Sequence, residues 1–196
     1  LKKELADGSA AGQLMIIAAH VPIGVEVTAP NSEMGWWTDP QNAVTLPDLI
    51  AELQSHPNFI MWIAGHRHLN TVKAFVSPDP VGAPEKGFWQ VETSSLRDFP
   101  QQFRTFEIYL NSDATISIMI TNVDPAVLEG TPAATSRKYA IAAAQIAETW
   151  DTLTNWNPTN DPTVELMPTG SYNAELVTPL SPAMRKMLQN IETTQR

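Results

Sequence analysis

Two apolar runs, each stopping at histidine, constrain this chain more than any other feature of it. Gln13-Leu14-Met15-Ile16-Ile17-Ala18-Ala19 ends at His20, and Phe59-Ile60-Met61-Trp62-Ile63-Ala64 ends at Gly65-His66-Arg67-His68. A strand without polar alternation suits an α/β layer in which both faces of the sheet are covered. Between the runs, Thr45-Leu46-Pro47-Asp48 opens a helix, with Thr45 or Leu46 near the cap, Pro47 in the first turn and Asp48 favourable to the dipole. Leu46, Leu49, Ile50 and Leu53 form its apolar stripe, and Pro57-Asn58 stops it. The order is therefore strand, helix, strand. In open α/β sheets ligands bind outside the carboxyl ends of the strands, which is where both histidine groups fall.

The rest of the chain divides by texture. Residues 1–6 read as a helical stub, broken by Asp7-Gly8-Ser9, and residues 24–45 read as irregular. Alternating strands are predicted over 71–76, 87–93, 104–110 and 115–122, with Asn111-Ser112-Asp113 as a hairpin turn. Residues 71–122 are expected to be mostly antiparallel on one sheet, with Glu92 on a solvent face and the helix of 46–56 packed outside. A second region spans 125–196. It holds a helix near 136–153, capped by Thr135 or Ser136 and facing inward through Tyr139, Ala142, Ile146, Trp150 and Leu153. Residues 157–182 read as wrapping loop, and a short helix is expected near 182–191.

Composition narrows the function classes. Hydrophobic residues make up 43% of the 196 and charged residues 17%, which suits a globular chain with a real core. Twelve basic against twenty-one acidic residues give a net charge of −9, so affinity for nucleic acid or for an anionic membrane is not expected. No apolar run reaches the roughly 20 residues of a membrane helix. The absence of cysteine excludes disulfides, thiolate zinc sites and cysteine nucleophiles, and leaves cytoplasm and periplasm equally open.

Three of the four histidines, His20, His66 and His68, sit at apolar strand ends. A solitary histidine there is usually just a hydrogen-bonded residue; three together suggest a shared site. Residues i and i+2 of an extended segment project to one side, so His66 and His68 can face one point. Gly65 would let the backbone approach it, and a parallel neighbour would bring His20 alongside. Three converging neutral imidazoles suit zinc, iron or manganese. His56, at a helix end before Pro57, reads instead as a dipole partner.

The run Ile16-Ile17-Ala18-Ala19-His20-Val21-Pro22, then a helix, then Ile63-Ala64-Gly65-His66-Arg67-His68-Leu69-Asn70, resembles the last two motifs of calcineurin-like metallophosphoesterases. The segment Ser94-Ser95-Leu96-Arg97-Asp98-Phe99-Pro100 before a hairpin is similar to the end of that domain in bacterial members. The resemblance covers residues 1–124 and implies part of a two-sheet αββα sandwich, with residues 125–196 as a helical and loop-rich extension. It further implies two divalent metal ions (manganese, iron or zinc), a phosphate mono- or diester as substrate, and hydrolysis by a metal-activated hydroxide. His20 and His66 would hold one metal and His68 the other.

The family's Asp-x-His, Gly-Asp and Asn-His motifs have no counterpart here, nor does the acid histidine that the last of these supplies. The chain begins Leu1-Lys2-Lys3, with neither an initiator Met nor a signal peptide. It is therefore expected to be the carboxyl-terminal half of a catalytic domain, inactive alone, prone to associate with its other half or with itself. Arg97 and Asp98 either approach a phosphate or form a local ion pair. Trp36 and Trp37 either line a substrate cleft or pack against the other half. Two alternatives stand beside this reading: a mononuclear three-histidine zinc hydrolase or lyase, and a non-catalytic β-rich binding module.

Overall fold

Strand β1 (Met15–Ala18) and strand β2 (Phe59–Ala64) lie side by side and parallel, joined by helix α2 (Leu46–Gln54), as the two apolar runs require. The computed structural model describes residues 1–24, 44–154 and 173–187, and no side chain of 147–154. Ahead of β1 stands helix α1 (Lys2–Ala10), which continues through the expected break. Gly8 is buried within it. A Cβ there would come within 2.4 Å of Met15 Sδ, so this glycine makes room for β1 rather than ending the helix. The turn falls instead at Gly12, whose φ of +65° is the left-handed conformation that glycine tolerates.

The structure is mixed α/β with two sheets. In the first, the order is β1-β2-β4-β3, with β4 (Phe88–Glu92) parallel to β2 and β3 (Thr71–Phe75) antiparallel to β4. The second is antiparallel: β5 (Phe103–Leu110), β6 (Thr115–Val123) and β7 (Ala174–Pro179). Residues 71–122 are thus shared between two sheets rather than gathered on one. Alternation alone could not reveal this, because a parallel and an antiparallel partner make the same demand on a half-buried strand.

Both faces of the first sheet carry core. On one side, Leu5 of α1 and Leu53 of α2 meet Phe59, Trp62, Ala64, Phe75 and Phe88, with Leu46, Leu49 and Ile50 alongside. On the other, Ile60, Met61 and Val91 meet Ile116, Ile118, Ile120 and Leu176 of the second sheet. Strand β2 serves both because its side chains alternate, and a register shift (Met15 pairs with Phe59 but Ile16 with Met61) lets the neighbours Ile60 and Met61 both face the second sheet. Strand β1 departs from the expected double burial. It is an edge strand, and Ile16 remains 40% exposed while Met15 and Ile17 pack on the helix side.

The chain beyond residue 124 is more structured than expected. Residues 174–179 form β7, in which Leu176 and Thr178 point inward and Val177 outward, a strand pattern hidden in a Pro- and Thr-rich stretch. Leu180 and Met184 then complete the core between the sheets, Met184 lying on a helix over 182–187; the rest of the predicted 182–191 helix lies outside the described residues. Helix α3 (Pro132–Thr154) starts earlier than predicted, because Pro132 takes the first helical position and Thr131 Oγ1 accepts from Ala134 N at 3.3 Å. Among its described side chains Ala134 and Ala140 are buried, whereas Tyr139 is 73% and Ile146 69% exposed. Large apolar residues at helical spacing suggested the opposite face; the side chains of Trp150 and Leu153 lie outside the described residues. Among the described residues, no helix is long and apolar enough to cross a membrane.

Candidate functional site

Because β1, β2 and β4 are parallel, their carboxyl ends share one sheet edge, and the residues following them arrive together. His20 follows β1 and is fixed by its backbone: Gly65 N donates to His20 O at 3.0 Å. The next residues are pinned from the sheet, with Trp62 Nε1 donating to Val21 O at 3.2 Å and Ile23 N donating to Oε1 of buried Gln90 at 2.6 Å. His66 follows β2. Its Nδ1 stands 3.1 Å from Nε2 of His20, and the rings meet edge to face at 84° with centroids 5.0 Å apart. His20 is exposed and His66 half-buried, so the pair opens to solvent.

The expectation that His66 and His68 face one point through an extended segment is corrected. Both adopt left-handed backbone, with φ of +78° and +59°. For a residue with a Cβ each such conformation costs on the order of 1–2 kcal/mol, and it persists only where surrounding bonds over-determine it. Gly65 does not carry the tight approach: a Cβ there would meet nothing nearer than Thr93 O at 3.9 Å, an ordinary contact. The unusual backbone falls on the histidines themselves. His68 turns its Nδ1 to Asp98 Oδ2 in a hydrogen-bonded contact. His56 lies elsewhere, with Nδ1 3.0 Å from Ser9 Oγ and Nε2 3.4 Å from Glu52 Oε1.

Glu92 is the residue that the sequence reading most misjudged. It ends β4 and has no exposure at all, where a solvent face was expected. Its Oε1 accepts from Arg67 Nε at 3.0 Å and Arg67 N at 3.3 Å, and its Oε2 accepts from Arg67 Nη2 at 2.5 Å and Thr71 Oγ1 at 2.9 Å. A carboxylate taken fully from water costs several kcal/mol, and a bidentate guanidinium offsets that cost best. Arg104, on β5, donates through Nη1 to the Glu92 carbonyl at 3.4 Å and through Nε to Asn122 Oδ1 at 2.7 Å. Burial pushes its guanidinium down to about 10, so it is still a cation at neutral pH. Like His20 and His66, Glu92 stands at the carboxyl end of one of the three parallel strands, but Gln90 interrupts β4, so no continuous apolar run marks it.

Arg97 is 89% exposed in its side chain, with Nε 3.9 Å from Asp98 Oδ1, which is the local ion pair of the two readings considered. Asp98 also serves His68, a role not foreseen. Trp36 and Trp37 lie outside the described residues.

The pair can be tested as part of a metal site by its own geometry. Two nitrogens bound to one cation at about 2.0–2.1 Å, and separated by roughly 90–110°, lie about 2.8–3.4 Å apart. The observed 3.1 Å between His20 Nε2 and His66 Nδ1 falls inside that span. His68, its Nδ1 given to a carboxylate, keeps Nε2 as a ligand atom, the usual arrangement of a carboxylate-supported histidine ligand. The donor set is nevertheless short: among the described residues, no group of three or more His, Cys, Asp or Glu side chains gathers as a metal would need. No protein-family model matches the chain, and no curated protein does.

Proposed function

We propose that the carboxyl edge of the first sheet contributes to a divalent-metal site of a phosphoesterase of the calcineurin-like kind. His20 and His66 would share one cation, and His68, braced by Asp98, would serve a second. The observation that carries this reading is the 3.1 Å approach of His20 Nε2 to His66 Nδ1 at the end of two parallel strands. Two neutral imidazoles leave the cation its full charge, which favours binding of phosphoryl oxygens. Divalent cations in such a site supply Lewis acidity toward a phosphoester and lower the pKa of water. This chain's own residues fix ring positions and keep the edge open to solvent. The single-metal, three-histidine alternative is less well supported, since the close approach joins only His20 and His66 and no three-residue group is formed among the described residues.

Ligand counting sets the test. Two cations a few ångströms apart need a bridging carboxylate to offset their repulsion, and the family's bridging aspartate has no counterpart in these 196 residues. The 196-residue chain should bind Mn2+ or Zn2+ through His20 and His66 by calorimetry, yet leave bis-p-nitrophenyl phosphate intact. A polypeptide extended upstream should hydrolyse it and lose that activity on His66→Ala. Absence of metal binding by wild-type chain would favour the non-catalytic β-rich module. Turnover by the 196 residues alone, abolished by His68→Ala, would favour the mononuclear alternative.

A further inference from the structure

The segment that carries His66 and His68 has a third residue between them, and Arg67 is bound differently from either neighbour. Its guanidinium and its backbone N–H both donate to Glu92, which is wholly buried and also receives Thr71 Oγ1. One carboxylate therefore grips the β2–β3 connection at residue 67 and again at residue 71, where Thr71 pairs with Glu92 across the sheet. Both flanking histidines are held in left-handed backbone, which needs such an external hold. Replacing a buried ion pair by apolar side chains is often neutral or favourable for folding, so stability alone gives little account of this one.

We propose that Glu92 is a positioning residue for the histidine pair: acting through Arg67, it sets the left-handed turn that brings His66 Nδ1 against His20 Nε2. It touches neither metal nor substrate. The proposal rests on the metal reading of His20 and His66 for its consequence, but its first readout needs no metal.

The test uses the 196-residue chain with labelled histidine rings, in four forms: wild type, Glu92→Gln, Arg67→Lys, and the double variant Arg67→Met with Glu92→Leu. The double variant replaces both partners and leaves no charge buried alone, so it should melt near wild type even where Glu92→Gln does not fold. In metal-free samples, its His20 and His66 ring signals should move, as should those of Arg67→Lys, while His56, held by Ser9 and Glu52, stays in place. Titrated with Zn2+, the folded variants should bind about 10–100-fold more weakly than wild type, the range usual for loss of an outer-shell partner. Unmoved His20 and His66 rings in folded variants would overturn the positioning role. A wild-type chain that binds no Zn2+ would instead overturn the metal reading, and the ring signals would still decide the role of Glu92.

Discussion

Glu92 and Arg67 meet through both oxygens of one carboxylate and two nitrogens of one guanidinium, at 3.0 and 2.5 Å, with Glu92 fully buried. The pair joins the end of β4 to the turn after β2, and its energetic character is asymmetric. Removing one partner leaves a charge stranded, whereas removing both leaves a gap that apolar atoms can fill. Glu92→Ala should therefore cost about 3–5 kcal/mol in urea denaturation, and the double replacement by Leu and Met should recover most of that loss. Equal losses for single and double variants would show that the pair stabilises the fold directly.

Helix α2 offers a simpler test. Thr45 Oγ1 accepts from Asp48 N at 3.3 Å and donates to Asp48 Oδ2 at 2.6 Å, closing the first turn. Thr45→Ala should cost about 1 kcal/mol, while Thr45→Ser should be close to neutral. Thermal melting reads both.

Asp98 and His68 are in hydrogen-bonded contact with both side chains about half exposed, 49% and 44%. A pair so open contributes little to folding. Asp98→Ala should leave the melting temperature nearly unchanged. If His68 acts as a ligand, the same variant should weaken Mn2+ or Zn2+ binding about 10-fold or more, because the ring loses the partner that orients it.

How much was legible follows from what each pattern encodes. Thr45, Pro47 and the stripe from Leu46 to Leu53 are local signals, and helix α2 stands where they put it. The approach of His20 to His66 was readable because two apolar runs joined by a helix leave little choice but parallel neighbours. Glu92 was lost because alternation says which residues share a face, not what covers that face: it lies on the side of Phe88, which packs toward the helices, and its carboxylate is closed over by Arg67 and Thr71. Strand β7 was lost for a related reason: its partner β6 lies more than fifty residues earlier, so nothing local announces the pairing. The left-handed histidines had no sequence signal, since such strain is imposed by tertiary bonds.

Helix α3 tests the corrected face directly. Among its described side chains the buried positions are Ala134 and Ala140, with Arg137 between them reaching the Pro100 carbonyl and standing 5.1 Å over the Phe99 ring. Ala140→Leu should overpack its buried position and cost about 1–3 kcal/mol. Tyr139→Ser, on the exposed side, should change stability by less than about 0.5 kcal/mol. The reverse order would mean that the outward face of α3 is covered in solution, by another copy of the chain or by a further segment.

The last expectation concerns acid. Glu52 lies at the junction of α1 and α2, where its Oε2 is 3.1 Å from Lys2 Nζ and its Oε1 is 3.4 Å from His56 Nε2. The Lys2 bond, aided by His56 and only partly opposed by desolvation, holds the Glu52 carboxyl below its ordinary value. With the folded-state pKa depressed, the ionised carboxylate favours folding. That contribution is complete above the unfolded-state value and fades as pH falls through the folded one, because only then does the native state take up the proton. Wild-type melting temperature should therefore decline on acidification through the carboxylate range more steeply than that of Glu52→Gln, which has no proton to gain. Added salt should narrow the difference, since Lys2 is 73% exposed and its attraction is screened. Parallel curves for the two chains would show that the contact between Lys2 and Glu52 does not form in solution.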